Sequence, residues 1–259
     1  MRSWLKVGTT AASLLLVGAA LSQVDYRFRD ASSDPPDAEF HFIRLEYRDY
    51  GRSWWMQDWP DAEENFAAGI KRLTGMDVGT NRHVPLTDDR IFEYPWVYAT
   101  QVGYWQLDEQ ETDRLREYLL RGGFLFVDDF HGPEDWGVFQ ETMQRTLPEH
   151  RIVDLSEEDP LFHVLYDLDQ GTQIPGLRHL RRGPGGSTVA EMPYPAIWRG
   201  IYDEEERLLV AVNFNMDIGD AWEHADWVEY PEPMTALSYR MGINYIIYAM
   251  THSLRLRGS

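Results

Sequence analysis

The sequence contains no cysteine among its 259 residues. It can therefore form no disulfide bond, offer no thiolate to a metal ion and use no cysteine as a nucleophile. Basic residues are also scarce, because 24 Lys and Arg stand against 43 Asp and Glu and give a formal net charge of -19. Such a chain repels nucleic-acid phosphates and anionic lipids, since binding to either depends on clustered Lys and Arg. We therefore expect no nucleic-acid partner for this acidic protein.

The sequence also lacks a long hydrophobic run, and its most apolar stretch lies at the N-terminus. Arg2 and Lys6 precede apolar and small residues from Val7 to Leu21, and Ala20-Leu21-Ser22 resembles a cleavage site. The run is shorter than the ~20 residues that a membrane-spanning helix prefers. We expect a signal peptide over residues 1–22, and hence an exported protein in the periplasm or outside the cell. The alternative is an uncleaved N-terminal anchor, the one case in which we expect membrane association.

A polar segment follows the predicted signal peptide. Residues 23–39 include Ser32, Ser33, Pro35 and Pro36, a composition typical of a linker. Over the whole chain 43% of the residues are hydrophobic and 14% are aromatic, which is globular composition. No internal repeat interrupts the remainder. We therefore predict a single α/β domain over residues 40–254.

The segment from Arg121 to Gly132 gives the clearest indication of the fold. A glycine pair precedes the apolar run 124–127, which stops at Asp128, Asp129 and His131. Apolar residues on both faces of a strand indicate a parallel sheet that is covered by helices on both sides. Neighbouring segments alternate between strand and amphipathic helix patterns, as in α/β proteins. We predict a three-layer α/β sandwich with a mostly parallel central sheet.

The other predicted elements follow from periodicity and from capping residues. Further strands are predicted at 40–47, 76–79, 94–100, 151–155, 196–202 and 208–214, and helices at 61–73, 108–120, 133–147 and 233–254. Asp108 and Glu111 predict a capping box, Gly122 a left-handed helix end, and Ser156 a cap. Residues 171–195 are predicted to form a loop, which holds a basic cluster of Arg178, His179, Arg181 and Arg182.

Four separated parts of the sequence resemble one known family. They are Phe42–Tyr47; Leu115–Leu119 with Gly122–Asp129; Asp159–Phe162; and Asp217–Glu223 with Asn244. Together they resemble domain-of-unknown-function family 4159 over about residues 40 to 252. That family is similar to the class I glutamine amidotransferase-like, flavodoxin-like fold, so the resemblance implies this fold. It implies no catalytic residues, and the absence of cysteine argues against amidotransferase activity, since that superfamily uses a cysteine nucleophile after a central strand.

The loops after the predicted strands collect carboxylates and aromatic side chains. In a parallel sheet these loops meet at the carboxyl edge, where open α/β sheets bind their ligands. The candidate ligand-binding residues are Asp128, Asp129, His131, Asp217, Asp220, Trp222, Glu223, Trp54 and Trp55. The candidate metal ligands are Asp128, Asp129, His131, Glu223 and His224, because carboxylates and imidazoles bind Mg²⁺, Mn²⁺ or Zn²⁺. No ligand spacing among these residues is diagnostic of a particular metal. No other cofactor is evident in the sequence, so a divalent metal is the one cofactor that it suggests.

Each candidate also has a structural interpretation. Asp128 can cap the helix that follows its strand, and His131 can be an ordinary loop histidine. Asp217 and Asp220 can form turn hydrogen bonds around Gly219. The tryptophans can cover the hydrophobic core instead of stacking on a ligand.

Two functions of different classes fit these observations. One is a domain that binds a small molecule, a glycan or an envelope protein at the carboxyl edge of the sheet. The other is a metal-assisted or carboxylate-dependent hydrolase of a carbohydrate or cell-envelope substrate, with Asp128, Asp129 and Glu223 as acid/base groups. Carboxyl groups within about 10 Å across an open cleft would favour the hydrolase. Carboxyl groups buried in backbone hydrogen bonds would contradict it.

Overall fold

The computed structural model describes residues 38–168, 172–184 and 187–252. The predicted signal peptide and the predicted linker up to residue 37 lie outside the described residues. Within the described ranges, no helix has both the length and the apolar character that crossing a membrane requires.

A mixed α/β fold is built around one seven-stranded sheet. In chain order the strands of the described residues are β1 (Ile43–Glu46), β2 (Arg82–Pro85), β3 (Trp96–Thr100), β4 (Phe124–Asp128), β5 (Ile152–Asp154), β6 (Leu180–Arg182), β7 (Thr188–Ala190), β8 (Ile197–Tyr202) and β9 (Leu208–Phe214). The large sheet has the order β2-β1-β3-β4-β9-β8-β5, and β6 pairs with β7 separately. The first five strands in that order are parallel, and β8 is antiparallel to both of its neighbours.

Five α-helices accompany these strands in the described part of the chain. They are α1 (Asp61–Thr74), α2 (Glu109–Leu120), α3 (Gly132–Thr146), α4 (Ile218–Glu223) and α5 (Glu232–His252). Asp108 and Glu111 form the predicted capping box at the start of α2. Gly122 has the predicted left-handed backbone after that helix, with a φ of 113°. Both capping predictions are therefore confirmed.

The core lies on both faces of the central strands. In β3, Trp96 and Tyr98 belong to one buried cluster, whereas Val97 and Ala99 belong to the other. Helices α1, α4 and α5 contribute to the first cluster, and α2 and α3 contribute to the second. Because successive strand residues point to opposite faces, an uninterrupted apolar strand needs cover on both sides. Burying each large apolar side chain contributes roughly 1.5–3 kcal/mol.

The structure corrects the predicted strand at 76–79. Val78 forms only an isolated parallel bridge with Phe40. The strand that pairs with β1 on the edge side of the sheet is β2. In β2 only Val84 is buried, because the strand lies at the edge of the sheet. Its mostly polar sequence therefore carries no hydrophobic pattern that would reveal a strand.

Three other local predictions differ from the structure. The segment predicted as a loop over residues 171–195 contains the short hairpin of β6 and β7. Residues 218–223, for which no helix was predicted, form α4. The short helical turn at Pro160–Phe162 is capped by Asp159, whose side chain accepts a hydrogen bond from Leu161 N, and not by Ser156. These elements are three to six residues long, too short for periodicity to indicate them.

Candidate functional site

The carboxyl ends of β1, β3, β4 and β9 meet at one edge of the sheet, as the sequence predicted. The segments after these strands contain non-glycine residues in the left-handed region, among them Asp58, Gln101, Asp129 and Asn215, with φ between 48° and 63°. Asp and Asn adopt this conformation at modest cost, whereas it is strained for Gln. Left-handed backbone in non-glycine residues concentrates at functional sites.

Three aspartates converge at this edge and are called the carboxylate cluster here: Asp58, Asp129 and Asp217. One carboxylate oxygen of each lies within 4.8 Å of the corresponding atoms of the other two. Asp129 and Asp217 are 1% and 3% exposed. Oδ2 of Asp58 is buried and has no hydrogen-bond partner within the part of the chain that the structure describes.

The electrostatics of the carboxylate cluster disfavour three negative charges. Burial, followed by the charges of Asp220 and Asp129, raises the pKa of Asp58 to about 8. Burial, followed by the charges of Asp129 and Asp220, raises the pKa of Asp217 well above its usual range. Carboxyl groups in this situation keep protons, as in other carboxylate pairs, or share a bound cation that replaces those protons.

Asp128, next to the cluster, has a structural role. Its Oδ1 accepts a hydrogen bond of 2.5 Å from the Tyr98 hydroxyl, and its Oδ2 accepts hydrogen bonds from the N–H groups of Ile218 and Gly219 at 2.6 and 3.2 Å. Burial raises the pKa of Asp128 to about 7 even though these hydrogen bonds favour its charged form. Asp128 therefore joins the end of β4 to the beginning of α4, and it belongs to neither of the two groups of side chains that could hold a metal ion.

Asp129 contacts the polar side chains around the cluster. Its Oδ2 accepts a hydrogen bond from Nε2 of Gln101, and its Oδ1 lies 3.0 Å from His131 Nε2 and 3.3 Å from Arg178 Nη2. A carboxylate only accepts hydrogen bonds, so the proton of a neutral His131 sits on Nε2. Nδ1 of His131 is buried and unpartnered among the described residues. The imidazole thus contacts Asp129 through Nε2 and keeps its other ring nitrogen, Nδ1, unused.

A second group of possible ligands, Asp220, Glu223 and His224, is less suited to a cation. Nδ1 of His224 lies 2.9 Å from the carbonyl oxygen of Asp220, which fixes the proton on Nδ1. That proton blocks the ring nitrogen that faces Glu223 at 3.6 Å. Oδ2 of Asp220 already accepts a hydrogen bond of 2.6 Å from Leu177 N. Burial raises the pKa of Glu223, and the neighbouring His224 opposes that shift.

The loop that carries Asp58 is held by a buried arginine. Arg44 in β1 is fully buried, and its Nη1 donates hydrogen bonds to the carbonyl oxygens of Trp55 and Gln57 at 3.2 and 2.8 Å. Its Nε donates to Glu63 in α1 at 2.6 Å, and its guanidinium lies 4.8 Å from the ring centre of Tyr98. Arg44 therefore fixes the backbone immediately before Asp58.

The segment around Gly176 packs against Asp217 of the cluster and against Asp220. Asp217 N donates to the carbonyl of Ile174 at 3.0 Å, and the Tyr230 hydroxyl donates to the carbonyl of Pro175 at 2.6 Å. A Cβ atom on Gly176 would collide with Oδ2 of Asp217, with Oδ2 of Asp220 only 3.1 Å away. The backbone at Gly176 therefore passes close to both carboxylates, and a side chain at this position would displace that of Asp217.

The predicted site residues are distributed unevenly. Three of them lie at the cluster: Asp129, His131 and Asp217. Asp128 lies next to the cluster and is hydrogen-bonded to Tyr98 and to the start of α4. The second group, Asp220, Glu223 and His224, lies beside the cluster. Trp222 is fully buried and stacks on Phe66 with 4.0 Å between ring centres, and Trp55 is 9% exposed. Both indoles belong to the core. Trp54 is half-buried and stacks on Tyr104 with 4.6 Å between ring centres.

The sequence prediction missed four residues of the site: Asp58, Gln101, Arg178 and the supporting Arg44. Asp58 and Gln101 stand in the loops that were expected at this edge, but no pattern singles them out. Arg178 is part of the basic cluster recognised in the sequence. An arginine inside a strand pattern, as at position 44, was the available signal for a buried polar network.

Comparison with known proteins gives one family match. A family model described as "Domain of unknown function (DUF4159)" matches residues 41–250. A search of curated proteins found no match.

Proposed function

The chain belongs to the DUF4159 family, whose description states no activity. From the geometry of the site we propose that the protein is a ligand-binding domain whose carboxylate cluster holds a divalent cation. The observation that carries the proposal is the convergence of Asp58, Asp129 and Asp217 within 4.8 Å, with one Asp58 oxygen buried and unpartnered among the described residues. A cation placed between these oxygens would offset the burial and the mutual repulsion that raise the pKa values of Asp58 and Asp217.

The donor set of the cluster favours a hard cation. All three side chains offer carboxylate oxygens, which Mg²⁺, Mn²⁺ and Ca²⁺ prefer, whereas Zn²⁺ and Cu²⁺ prefer nitrogen or sulfur ligands. Three carboxylates leave part of the coordination shell of such an ion to water or to a ligand. The ion would therefore serve as the anchoring point for the molecule that the domain binds, which we expect to be a small molecule, a glycan or a group on an envelope protein.

The test is cation binding by the full chain. Protein purified without chelator is analysed for metal content, stripped with EDTA and titrated with Mg²⁺ and Mn²⁺ by calorimetry. We expect one site, and we expect Asp58→Asn, Asp129→Asn and Asp217→Asn each to weaken it by tenfold or more. Asparagine tolerates left-handed backbone and serves as a helix cap, so these variants should fold.

Two controls locate the cation. Asp113→Asn removes a carboxylate from the exposed face of α2 and should leave binding unchanged. Glu223→Gln alters only the second group of carboxylates. Loss of binding in Glu223→Gln with retention in Asp58→Asn, or no binding by the parent protein, would contradict the proposed site.

A second function, a metal-assisted or carboxylate-dependent hydrolase of a carbohydrate or cell-envelope substrate, has one specific observation in its favour. His131 pairs through Nε2 with Asp129 and keeps Nδ1 buried and unpartnered among the described residues. An aspartate that orients a histidine whose other nitrogen is unused is an arrangement suited to general-base catalysis. The hydrogen bonds that occupy Asp128 argue against its predicted role as an acid/base group.

Screening the cation-loaded protein against glycan, ester and phosphoester substrates tests the hydrolase. Turnover that His131→Gln abolishes, with cation affinity retained, would establish the hydrolase over the binding domain. Absence of turnover on all three classes would leave binding alone.

The location and the fold family remain proposals of the same kind. Export of the chain rests on the sequence of residues 1–22 and is tested by cell fractionation and by N-terminal sequencing of the mature protein. The flavodoxin-like, glutamine amidotransferase-like sandwich is supported by the five adjacent parallel strands and by the buried clusters on both faces of the sheet. An experimental structure compared with those folds tests it.

A further inference from the structure

A short basic segment borders the carboxylate cluster and is called the rim segment here. It runs from Leu177 to Arg182 and contains Arg178, His179, Arg181 and Arg182 but no acidic residue. In a protein with a net charge of -19, this local excess of positive charge is unexpected. The rim segment is fixed to the site, because Leu177 N donates a hydrogen bond to Oδ2 of Asp220.

Arg178 brings the rim segment into contact with the cluster. Its Nη2 lies 3.3 Å from Oδ1 of Asp129, and its Nε donates a hydrogen bond of 3.1 Å to Nε2 of His179. Its side chain is nevertheless 55% exposed. A guanidinium has five N–H donors, and these two contacts occupy only some of them, so the exposed edge can receive another acceptor.

Two histidine rings and Arg181 lie close to Arg178. The rings of His131 and His179 have centres 5.9 Å apart, on the side of Asp129 that Arg178 contacts. Arg181 folds back so that its Nη1 donates to the carbonyl oxygens of Arg178 and Leu180 at 2.6 and 2.9 Å. Burial and the charges of Arg178, His131 and Arg181 lower the pKa of His179, which is consistent with a local positive potential.

Arg182 has the same charge as Arg181 but lies on the other face of the hairpin, so it provides an internal control. Successive residues of a strand point to opposite faces, so Arg182 and Arg181 lie on opposite sides of the hairpin formed by β6 and β7. Both side chains are exposed. Neither forms an ion pair with a carboxylate within residues 38–168, 172–184 and 187–252.

We propose that the rim segment and the cation of the carboxylate cluster together bind the oxyanion group, a phosphate or a carboxylate, of the ligand that this domain takes. The inference rests on the proposed function and names the chemical class of its ligand. One oxygen of the anion would complete the coordination shell of the cation, and another would accept hydrogen bonds from Arg178. Planar guanidinium groups match phosphate and carboxylate geometry, and Mg²⁺ commonly joins one or two protein carboxylates to a phosphate.

The cation is essential to this arrangement. The Asp129 carboxylate lies 3.3 Å from Arg178 and would repel a bound anion, and without a cation nothing offsets that repulsion. Once a divalent ion binds between the carboxylates, its charge offsets that repulsion and acts on the anion together with Arg178. Anion binding should therefore depend on the cation, and the cation should in turn bind more tightly when the anion is present.

The experiment measures two equilibria separately in the full chain. Mg²⁺ is titrated first, and inorganic phosphate or acetate is then titrated into the Mg²⁺-saturated protein and into the EDTA-treated protein. We expect phosphate, acetate or both to bind only in the presence of Mg²⁺, and the comparison between them identifies the type of oxyanion. Arg178→Gln should weaken that binding by about tenfold or more, because a hydrogen bond to a charged group is lost.

Controls separate the rim segment from general charge effects. Arg181→Gln should weaken anion binding less than Arg178→Gln, and Arg182→Gln, which removes the same charge from the opposite face of the hairpin, should leave it unchanged. The Mg²⁺ affinity without anion should not fall in any of the three variants.

The outcomes distinguish this inference from the function on which it rests. Normal Mg²⁺ binding without binding of phosphate or acetate would overturn the inference and leave the cation site intact. Equal effects of Arg178→Gln and Arg182→Gln would overturn it as well, because binding would then reflect net charge alone. Failure of Mg²⁺ to bind would overturn both proposals.

Discussion

At the scale of single residues, Asp58 combines a left-handed backbone, a buried oxygen and a raised pKa. It has a φ of 63°, and one of its oxygens is buried without a partner among the described residues. Its other oxygen accepts a hydrogen bond of 2.6 Å from the side chain of Gln57. A carboxyl group held in this way is costly to ionise unless a cation is bound.

The raised pKa of Asp58, about 8, predicts how stability depends on pH. The folded protein keeps a proton that the unfolded chain releases near pH 3.9. The contribution of this group to the free energy of unfolding is therefore complete below about pH 4 and is lost as the pH rises towards 8. In EDTA, we expect urea unfolding to show lower stability at about pH 8 than at about pH 5.5, with a smaller difference in Asp58→Asn.

The matched control for this measurement is Asp113→Asn, which removes an exposed carboxylate. It should retain the pH dependence of the parent protein. Identical pH dependence in Asp58→Asn and the parent would contradict the argument, because Asp58 would then titrate alike in the folded and unfolded states.

Variants at Arg44 should separate its effect on the free energy of unfolding from its effect on cation binding. Arg44→Met leaves the buried Glu63 without its partner and should cost about 3–5 kcal/mol. The double variant Arg44→Met with Glu63→Leu removes both charges and should recover much of that loss. It still lacks the hydrogen bonds to the carbonyls of Trp55 and Gln57 that hold the loop before Asp58.

We therefore expect the double variant to fold but to bind Mg²⁺ more weakly than the parent protein. Urea unfolding and calorimetric titration of the same samples measure the two quantities. Full cation affinity in the folded double variant would show that Arg44 has no positioning role.

At the scale of elements, the short helix α4 depends on residues outside itself. Its N-terminal N–H groups are satisfied by Asp217, which accepts from Asp220 N at 3.0 Å, and by Asp128 from β4. Helix N-termini have unsatisfied donors and a partial positive charge, so two aspartates stabilise this one. The arrangement also places Asp217 beside Asp129, which follows β4 directly.

Asp128 variants distinguish this structural role from the role of a metal ligand. Asp128→Ala leaves the Tyr98 hydroxyl and two buried N–H groups without acceptors, and we expect it to lower the free energy of unfolding by about 2–4 kcal/mol. Asp128→Asn keeps one acceptor oxygen for α4 and should cost about 1 kcal/mol.

Cation titration of Asp128→Asn then gives the decisive result. We expect Mg²⁺ affinity within a few-fold of the parent value, whereas Asp129→Asn loses tenfold or more. Equal losses in the two variants would make Asp128 a ligand and would contradict the assignment based on its hydrogen bonds.

At the scale of the whole molecule, the net charge of -19 and the carboxylate cluster make two different predictions about cations. Any salt screens the general repulsion between surface carboxylates. A specific site instead stabilises the folded state by about 2.7 kcal/mol when the cation is at a hundred times its dissociation constant. We expect Mg²⁺ to raise the melting temperature more than NaCl of equal ionic strength does.

Asp58→Asn supplies the control for this comparison. It removes one carboxyl group from the protein and should lose most of the extra stabilisation by Mg²⁺. If Mg²⁺ and NaCl of equal ionic strength stabilise the parent protein alike, screening accounts for the effect and the specific site is rejected.

Much of the fold was predictable because its strongest signals are local. The buried strand β4, the capping box at Asp108 and the helical periodicities of α1, α2, α3 and α5 appear in contiguous stretches of sequence. The polar edge strand β2 and the short helix α4 were missed because tertiary contacts, not their own patterns, stabilise them. The site followed the same division: Asp129 and Asp217 stand at strand ends, whereas Asp58 comes from a long loop.

The sequence by itself determined the mixed α/β fold class, the sheet edge at which polar residues gather and the absence of a cysteine nucleophile. These properties depend on composition and on the period of the hydrophobic pattern, which are local. Only the tertiary structure decided that Asp128 is used in hydrogen bonds while Asp129, one residue later, meets Asp58 and Asp217. The reason is that neighbouring residues at a strand end point in different directions, and the groups that face them come from distant parts of the chain.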